Sequence, residues 1–591
     1  MLLASSRSRA VVAAALVVVL TACSPGASDG ADDSSAGDRP AASDSSTAPE
    51  PTRGETAVAR MTLREKAGQV IVASWSGTGS PAAMVRRLHL GGVVALEQNI
   101  TSLSQIRGVN RSTARVVARR GYPAFIAVDQ EGGVVRRVHL GVTPFPAFMS
   151  AGAADDTALT RRTSRISAAE MRGLGFDVVL APIADVSVGD RDPVVGSRAA
   201  GGRPGLVARH VVAAIDGIEA AGVLPVVKHF PGHGSLDVDS HQALPVQRRG
   251  MPELRATDLV PFRAAVRAQA PAVMTGHIAV RALDSDVPAS VSRPVTSGLL
   301  RREMGYDGLV ITDALDMEGV QVHARGGAAA VRALRAGADV VLMPPDPKDA
   351  RDQIVRAVRS GRLPLSRLES AAARMIDTLH AARDKGTGTS PRPPGSGEGA
   401  SLALSRAAVT SVAGPCRGRL IADRVRVVGP SEAVNVFDRM VTARGVTVVP
   451  DIRKQIRVGT RTVVVGHRRT WGRKKVVDKQ GDLSWKRVPK RVPIRRNKPV
   501  RKWVTIPADA PTVSLVGNGG SSADASDVVV ALDRPSVLGG DVKARVELAT
   551  YGTTPQAFEA LIEVLLGAHS APGRLPIDVP GAERTGCPGP D

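Results

Sequence analysis

At 591 residues the chain is too long for a single hydrophobic core and predicts two or three domains. With 43% hydrophobic and 23% charged residues its composition is that of an ordinary globular protein, which excludes a chain disordered throughout. The formal net charge of +22 is concentrated in one late segment, so it describes a local feature and not the whole fold.

Arg7 and Arg9 precede a short apolar run over residues 10–20. That run is too short to span a bilayer as a finished helix, and its flanks read as a secretory signal over residues 1–22. Leu20-Thr21-Ala22-Cys23 resembles the bacterial lipobox, in which the cysteine is lipidated and becomes the mature N-terminus. An ordinary signal peptide with an incidental cysteine is the plainer alternative. The resemblance implies export and anchoring through Cys23 to the outer face of the bacterial cytoplasmic membrane. Residues 23–55, rich in Ser, Ala, Asp, Gly and Pro up to about Thr52, cannot bury a core and predict a flexible tether.

From 56 to 383 short apolar runs alternate with amphipathic stretches, the pattern of repeated βα units around a parallel sheet. Thr62 followed by Glu65 marks the first helix as a capping box. Strands are predicted at 70–74, 92–96, 124–129, 178–186, 224–230, 272–280, 308–313 and 338–343. Eight such runs fit an α/β fold of the (β/α)₈ barrel type. A doubly wound open sheet competes, but no Gly-x-Gly-x-x-Gly turn follows the first strand.

The strand ends carry the chemistry. Asp129 opens Asp129-Gln130-Glu131-Gly132-Gly133, with Arg136-Arg137 just beyond; Asp185 falls in the fourth strand, His277 in the sixth and Asp313 at the end of the seventh. The densest group, Lys228-His229-Phe230-Pro231-Gly232-His233-Gly234 and then Asp239-Ser240-His241, begins where the fifth strand ends. Barrel enzymes place their active sites at that end. A buried Lys beside a His is costly unless partnered, so packing alone explains the pair poorly. Each Asp could instead cap a following helix. Convergence of five strand ends on one face describes a pocket of carboxylates, imidazoles and cations suited to polyhydroxylated ligands.

Residues 384–400, rich in Gly, Pro, Ser and Thr, predict a linker. Beyond it, over 401–591, strands at 424–428, 461–465, 512–516 and 527–532 and a helix near 555–566 predict a smaller α/β sandwich domain. Inside it, the insertion 453–503 holds 19 Lys/Arg against Asp478 and Asp482, about +17 of the chain's charge, interleaved with Trp471, Trp485 and Trp503. Such a segment attracts polyanions. With an export signal, anionic cell-wall polymers or lipid headgroups fit better than nucleic acid; a solvated insertion without a ligand remains the plainer reading. Cys416 and Cys587 allow either a disulfide or two free thiols in an exported protein.

The motifs resemble glycoside hydrolase family 3, specifically its bacterial β-N-acetylglucosaminidase branch. The match rests on Lys228 to Gly234 with Asp239-Ser240-His241, and on Met61-Thr62-Leu63-Arg64-Glu65-Lys66-Ala67-Gly68-Gln69. Asp129-Gln130-Glu131-Gly132-Gly133, Gly196-Ser197-Arg198 and Thr312-Asp313-Ala314-Leu315 extend it. It is weaker in the second domain, at Ala549-Thr550-Tyr551-Gly552 and Gly573-Arg574-Leu575-Pro576. The resemblance implies a retaining exo-glycosidase acting on terminal β-N-acetylglucosaminides, peptidoglycan fragments among them. In it Asp313 is the nucleophile, His241 the acid/base and Asp239 its partner. Asp129, Arg137, Arg198, Lys228 and His229 would bind the sugar, and His233 would brace the loop. No cofactor or metal is implied: the spacing of His229, His233 and His241 matches no zinc motif. The alternatives are a β-N-acetylglucosaminide phosphorylase, another family 3 β-glycosidase, or a catalytically dead wall-binding lipoprotein.

Overall fold

Runs of four or five apolar residues without polar alternation suit strands covered on both faces. The computed structural model describes residues 50–587 apart from 324–326, 478, 482, 507, 518–525, 540, 541, 543 and 584. The expected signal segment, Cys23 and most of the expected tether lie outside the described residues. The tether as expected runs too far: Thr52 caps a helix over Arg53–Ala59 through a reciprocal bond with Glu55, so 53–55 belong to folded structure.

The strands β1 (Ile71–Ala73), β2 (Gly92–Ala95), β3 (Phe125–Val128) and β4 (Val178–Val179) come first. They are followed by β5 (Leu224–Pro225 with Val227–Phe230), β6 (Ala272–Thr275), β7 (Leu309–Thr312) and β8 (Val341–Leu342). Neighbours pair in parallel in the order β8-β1-β2-β3-β4-β5 and β5-β6-β7. Parallel bridges Ile183–Lys228 and Ile311–Val340 join the two runs into a closed (β/α)₈ barrel. The fourth strand is shorter than expected because Pro182 has no N–H to donate, leaving only the bridge at Ile183 beyond it.

Alternate strand residues sort into two cores. Val72, Val94, Phe125, Ala127, Met274, Ile311 and Leu342 fill the barrel interior. Their neighbours Ile71, Val93, Ile126, Val273, Val310 and Val341 pack outward against the helices. Met375, Leu379 and Ala382, from the helix Leu365–Lys385, join the interior cluster and close the end of the barrel at which the strands begin. The capping box at Thr62 and Glu65 starts the helix Leu63–Gln69.

Barrel and second domain belong to one compact unit spanning residues 51–591. Only part of 384–400 is a linker, since one helix runs to Lys385 and the next occupies Glu398–Ala408. Between them the chain is pinned: the N–H groups of Gly395 and Gly397 donate to the buried carboxylate of Glu170 at 3.1 and 3.0 Å.

The second domain is a six-stranded sheet. Its strands are β9 (Thr410–Ala413), β10 (Arg424–Val428), β11 (Thr447–Val448), β14 (Thr512–Val516), β15 (Val528–Ala531) and β16 (Val546–Ala549), ordered β9-β16-β15-β14-β10-β11. All neighbours run parallel except β9 and β16. Phe437 and Phe558, from the helices Ser431–Thr442 and Pro555–Leu565, meet edge to face at 6.0 Å in its core. Cys416 and Cys587 are joined in a disulfide.

The expected strand at 461–465 is not part of this sheet. It lies in a separate antiparallel ribbon formed by β12 (Ile452–Val477) and β13 (Leu483–Ile506). Two of the three valines that suggested a buried strand are exposed, Val464 by 51% and Val465 by 45%, and Val463 is half-buried. Pro489, Pro493 and Pro499 sit on β13, where a strand with a free outer edge tolerates a missing N–H and resists pairing with another chain.

Candidate active site

A cavity of about 380 Å³ opens at the C-terminal end of the barrel, and its lining gathers Asp129, Arg137, Arg198, Lys228, His229, His241 and Asp313. Asp239 lies behind His241. Met274, Leu342 and Met343 supply apolar surface.

The β5 loop owes its shape to two glycines. Gly232 has φ +125, and a Cβ on Gly234 would lie 2.6 Å from the carbonyl oxygen of Val186. This close approach places the loop over Asp185, which is wholly buried. Asp185 accepts bonds from His229 Nδ1 at 2.8 Å and from the backbone N–H of His233 at 2.7 Å. Burial pushes the Asp185 carboxyl up, but the His229 and His233 contacts outweigh it and hold it below its ordinary value. His229 is thereby oriented with its other ring nitrogen toward the cavity.

Farther along the loop, His233 Nε2 lies 3.0 Å from Ser240 Oγ, and the Ser240 carbonyl accepts from the N–H of Gly319 at 3.1 Å. These bonds fix the turn that presents Asp239 and His241. His241 Nδ1 lies 2.8 Å from Asp239 Oδ1, and its ring is 63% exposed. Burial raises the Asp239 carboxyl, yet the backbone and ring bonds from His241 hold it below the usual range.

Two carboxylates and two cations interlock on the opposite wall. Lys228 Nζ lies 2.6 Å from Asp129 and 2.7 Å from Glu131. Glu131 also takes a forked pair from Arg198, at 2.8 and 2.9 Å. Burial pushes the Glu131 carboxyl up, but Arg198 and Lys228 together drive it far below its ordinary value. Lys228 is raised despite its own desolvation, by Asp129 and Glu131. Arg137 lines the cavity with a buried Nε that has no partner among the described residues.

Asp313 ends β7. Its N–H bonds to the carbonyl of Thr275 and its Oδ1 accepts from the N–H of Ala314 at 2.8 Å. Burial raises this carboxyl, but His229, His277, the Ala314 N–H and Lys228 hold it below the ordinary range, so it is ionised near neutrality. His277 is spent on structure: it bonds Ser290 Oγ at 2.7 Å and the Ala314 carbonyl at 2.8 Å, which steadies the segment beside Asp313. Burial keeps its ring neutral.

Residues 62–378 match the glycosyl hydrolase family 3 N terminal domain, more than half of the chain. The chain belongs to glycoside hydrolase family 3. It is 32% identical over 385 residues to the β-hexosaminidase LpqI of Mycobacterium tuberculosis, covering 63% of this chain and 97% of the relative. To the β-hexosaminidase A of Pseudoalteromonas piscicida it is 33% identical over 320 residues, 49% of this chain, and spans about half of that relative's length, 53%. A solved family 3 β-N-acetylglucosaminidase from Paenibacillus sp. str. FPU-7 superposes with a TM-score of 0.72 at 27% identity, over 88% of this chain and all of that one. The chain is therefore a glycoside hydrolase.

Sequence reasoning left two functional carboxylates without a role. Glu131 stood inside a quoted motif and Asp185 near a strand end, but only the folded geometry shows Glu131 joining Lys228 to Arg198 and Asp185 aiming His229.

Proposed function

We propose that this protein removes terminal β-linked N-acetylglucosamine from glycans, peptidoglycan fragments included, by a retaining double displacement. Asp313 attacks the anomeric carbon while protonated His241 gives its Nε2 proton to the departing oxygen, leaving a covalent glycosyl-enzyme and a neutral imidazole. Water then attacks the same carbon, His241 takes its proton, and Asp313 leaves as the carboxylate. Asp239 holds the ring at Nδ1 and stabilises its charged form. An imidazole does this without adding a second negative charge beside Asp313. Asp129, Arg137, Arg198, Lys228 and His229 bind the sugar hydroxyls and the N-acetyl group.

The observation that carries this reading is that Asp313 and His241, far apart in sequence, line one cavity, with His241 Nδ1 bonded to Asp239 and Nε2 left for substrate. The names of the similar proteins, β-hexosaminidases and a β-N-acetylglucosaminidase, support the choice of sugar. The test is a side-by-side assay of aryl β-glucoside, β-xyloside and N-acetyl-β-glucosaminide, with and without phosphate. Fastest release from the N-acetyl substrate, giving free N-acetylglucosamine in both buffers, is expected. A sugar 1-phosphate product would replace hydrolysis with phosphorolysis, and preference for the glucoside would overturn the substrate.

We further propose that residues 1–22 direct export and that lipidated Cys23 tethers the enzyme to the outer face of the cytoplasmic membrane. A labelled fatty acid should be incorporated into the wild type and not into Cys23→Ala; equal labelling would refute the anchor.

A further inference from the structure

The β12–β13 ribbon lines none of the cavity, and its register sorts its side chains. Directly opposed residues of an antiparallel pair project to the same face, and successive pairs alternate. The register shifts fall on β12, after Arg457 and Val464, so β13 alternates without interruption and its odd-numbered residues mark one face. All three ribbon tryptophans lie there: Trp485, Trp503, and Trp471 opposite Pro489. They are exposed by 58%, 58% and 66%. The same face carries three directly opposed arginine pairs, Arg457–Arg501, Arg469–Arg491 and Arg473–Arg487. The even face has no tryptophan and no opposed arginine pair; the opposed Lys474 and Lys486 stand there with Arg461, Arg468 and Arg496 among valines and isoleucines.

Opposed like charges destabilise a ladder, and a lone two-stranded ribbon has no core behind it to offset them. Exposed indoles add to the cost. A single kind of ligand relieves both: one with anions for the guanidinium forks and flat C–H faces for the indoles. Each strand spans roughly 80 Å at the usual rise, which suits a polymer and not a single sugar.

We propose that the odd-numbered face of this ribbon binds an anionic polysaccharide, its phosphate or carboxylate groups held by the opposed arginines and its rings stacked on the tryptophans. The choice of a polysaccharide over other polyanions rests on the carbohydrate chemistry of the barrel.

The test uses the full chain and measures binding to phosphomannan, alginate, neutral dextran, single-stranded DNA and phosphatidylglycerol vesicles at about 0.15 M salt. Trp471→Ala, Trp485→Ala and Trp503→Ala together should weaken binding to phosphomannan or alginate about tenfold or more. Changing Arg469, Arg473, Arg487 and Arg491 to Lys should weaken it severalfold although the net charge is kept. Changing Lys474, Lys486, Lys490 and Lys498 to Gln should cost less than the tryptophan set and reduce the salt dependence. The proposal fails if losses follow the number of charges removed on either face, if DNA or vesicles bind more tightly than both charged polysaccharides, or if neither polysaccharide binds. Aryl glycoside hydrolysis in the same preparations reports the barrel separately: all variants should keep it. A wild type that binds polysaccharide without hydrolysing any glycoside would refute the proposed catalysis and leave the ribbon site standing.

Discussion

A single oxygen of Asp239 bonds both the ring and the backbone of His241, at 2.8 Å to Nδ1 and 2.9 Å to the amide nitrogen. One carboxylate therefore fixes the imidazole and the turn that carries it. Asp239 is held in its ionised form, so it favours the imidazolium needed to protonate a leaving group. In Asp239→Asn the carboxylate that orients the ring and stabilises its charged form during proton transfer is gone. The rate should fall about tenfold to a hundredfold, short of the roughly 10²–10⁴ that a general acid supplies. A kcat/KM unchanged from the wild type would separate the two residues functionally.

Proton donation matters in proportion to how poor the leaving group is. His241→Ala should slow unactivated N-acetylglucosaminides by roughly 10²–10⁴ and affect glycosylation from a nitrophenyl substrate far less. Asp313→Asn should abolish turnover of both, since no carboxylate remains to bond to carbon. Equal losses on the two substrates in His241→Ala would argue against a proton donor, and normal turnover in Asp313→Asn would remove the nucleophile.

The barrel and its cavity were legible in the sequence because buried parallel strands leave uninterrupted apolar runs and the polar residues at their ends have no packing reason to be there. What was not legible depended on distance in the chain. Glu131 gains its importance from Arg198 and Lys228, 67 and 97 positions away, and no local pattern announces such a triad. The run at 461–465 misled for the opposite reason: three consecutive valines look like a buried strand whether the second face is covered by protein or by water.

The buried triad sets an acid limit on stability. The folded-state pKa of Glu131 lies below its ordinary value of 4.5. Its contribution is therefore fully present above that value and is lost as pH falls through it toward the folded pKa. Glu131→Gln leaves Arg198 and Lys228 buried with less compensation, costing roughly 3–5 kcal/mol at neutral pH. Melting temperatures from pH 3 to 7 should show the variant lower at pH 7 and losing less than the wild type on acidification. Asp185 and Asp313 are shifted the same way, so some acid slope should persist. Parallel curves for the two proteins would mean the triad contributes nothing to the pH dependence.

The second domain lines none of the cavity, whose described walls end at Met343, yet it grips the segment that delivers Arg198. Arg534 donates to the carbonyl of Asp192 at 2.7 Å, and Ser197 bonds Asp533. From inside, Asp192 accepts the N–H groups of Val195 and Gly196 at 2.8 and 2.9 Å. A Cβ on Gly196 would stand 2.4 Å from Arg534 Nε, so the glycine is what lets the two domains meet here. Arg534 is thus placed to position Arg198, which the proposed function assigns to binding the sugar rather than to the reacting atoms. Its loss should raise KM severalfold and leave kcat nearly unchanged. Arg534→Lys, which keeps one donor, should recover part of the KM. A fall in kcat at constant KM, or a drop in melting temperature with no kinetic change, would reduce the contact to scaffolding.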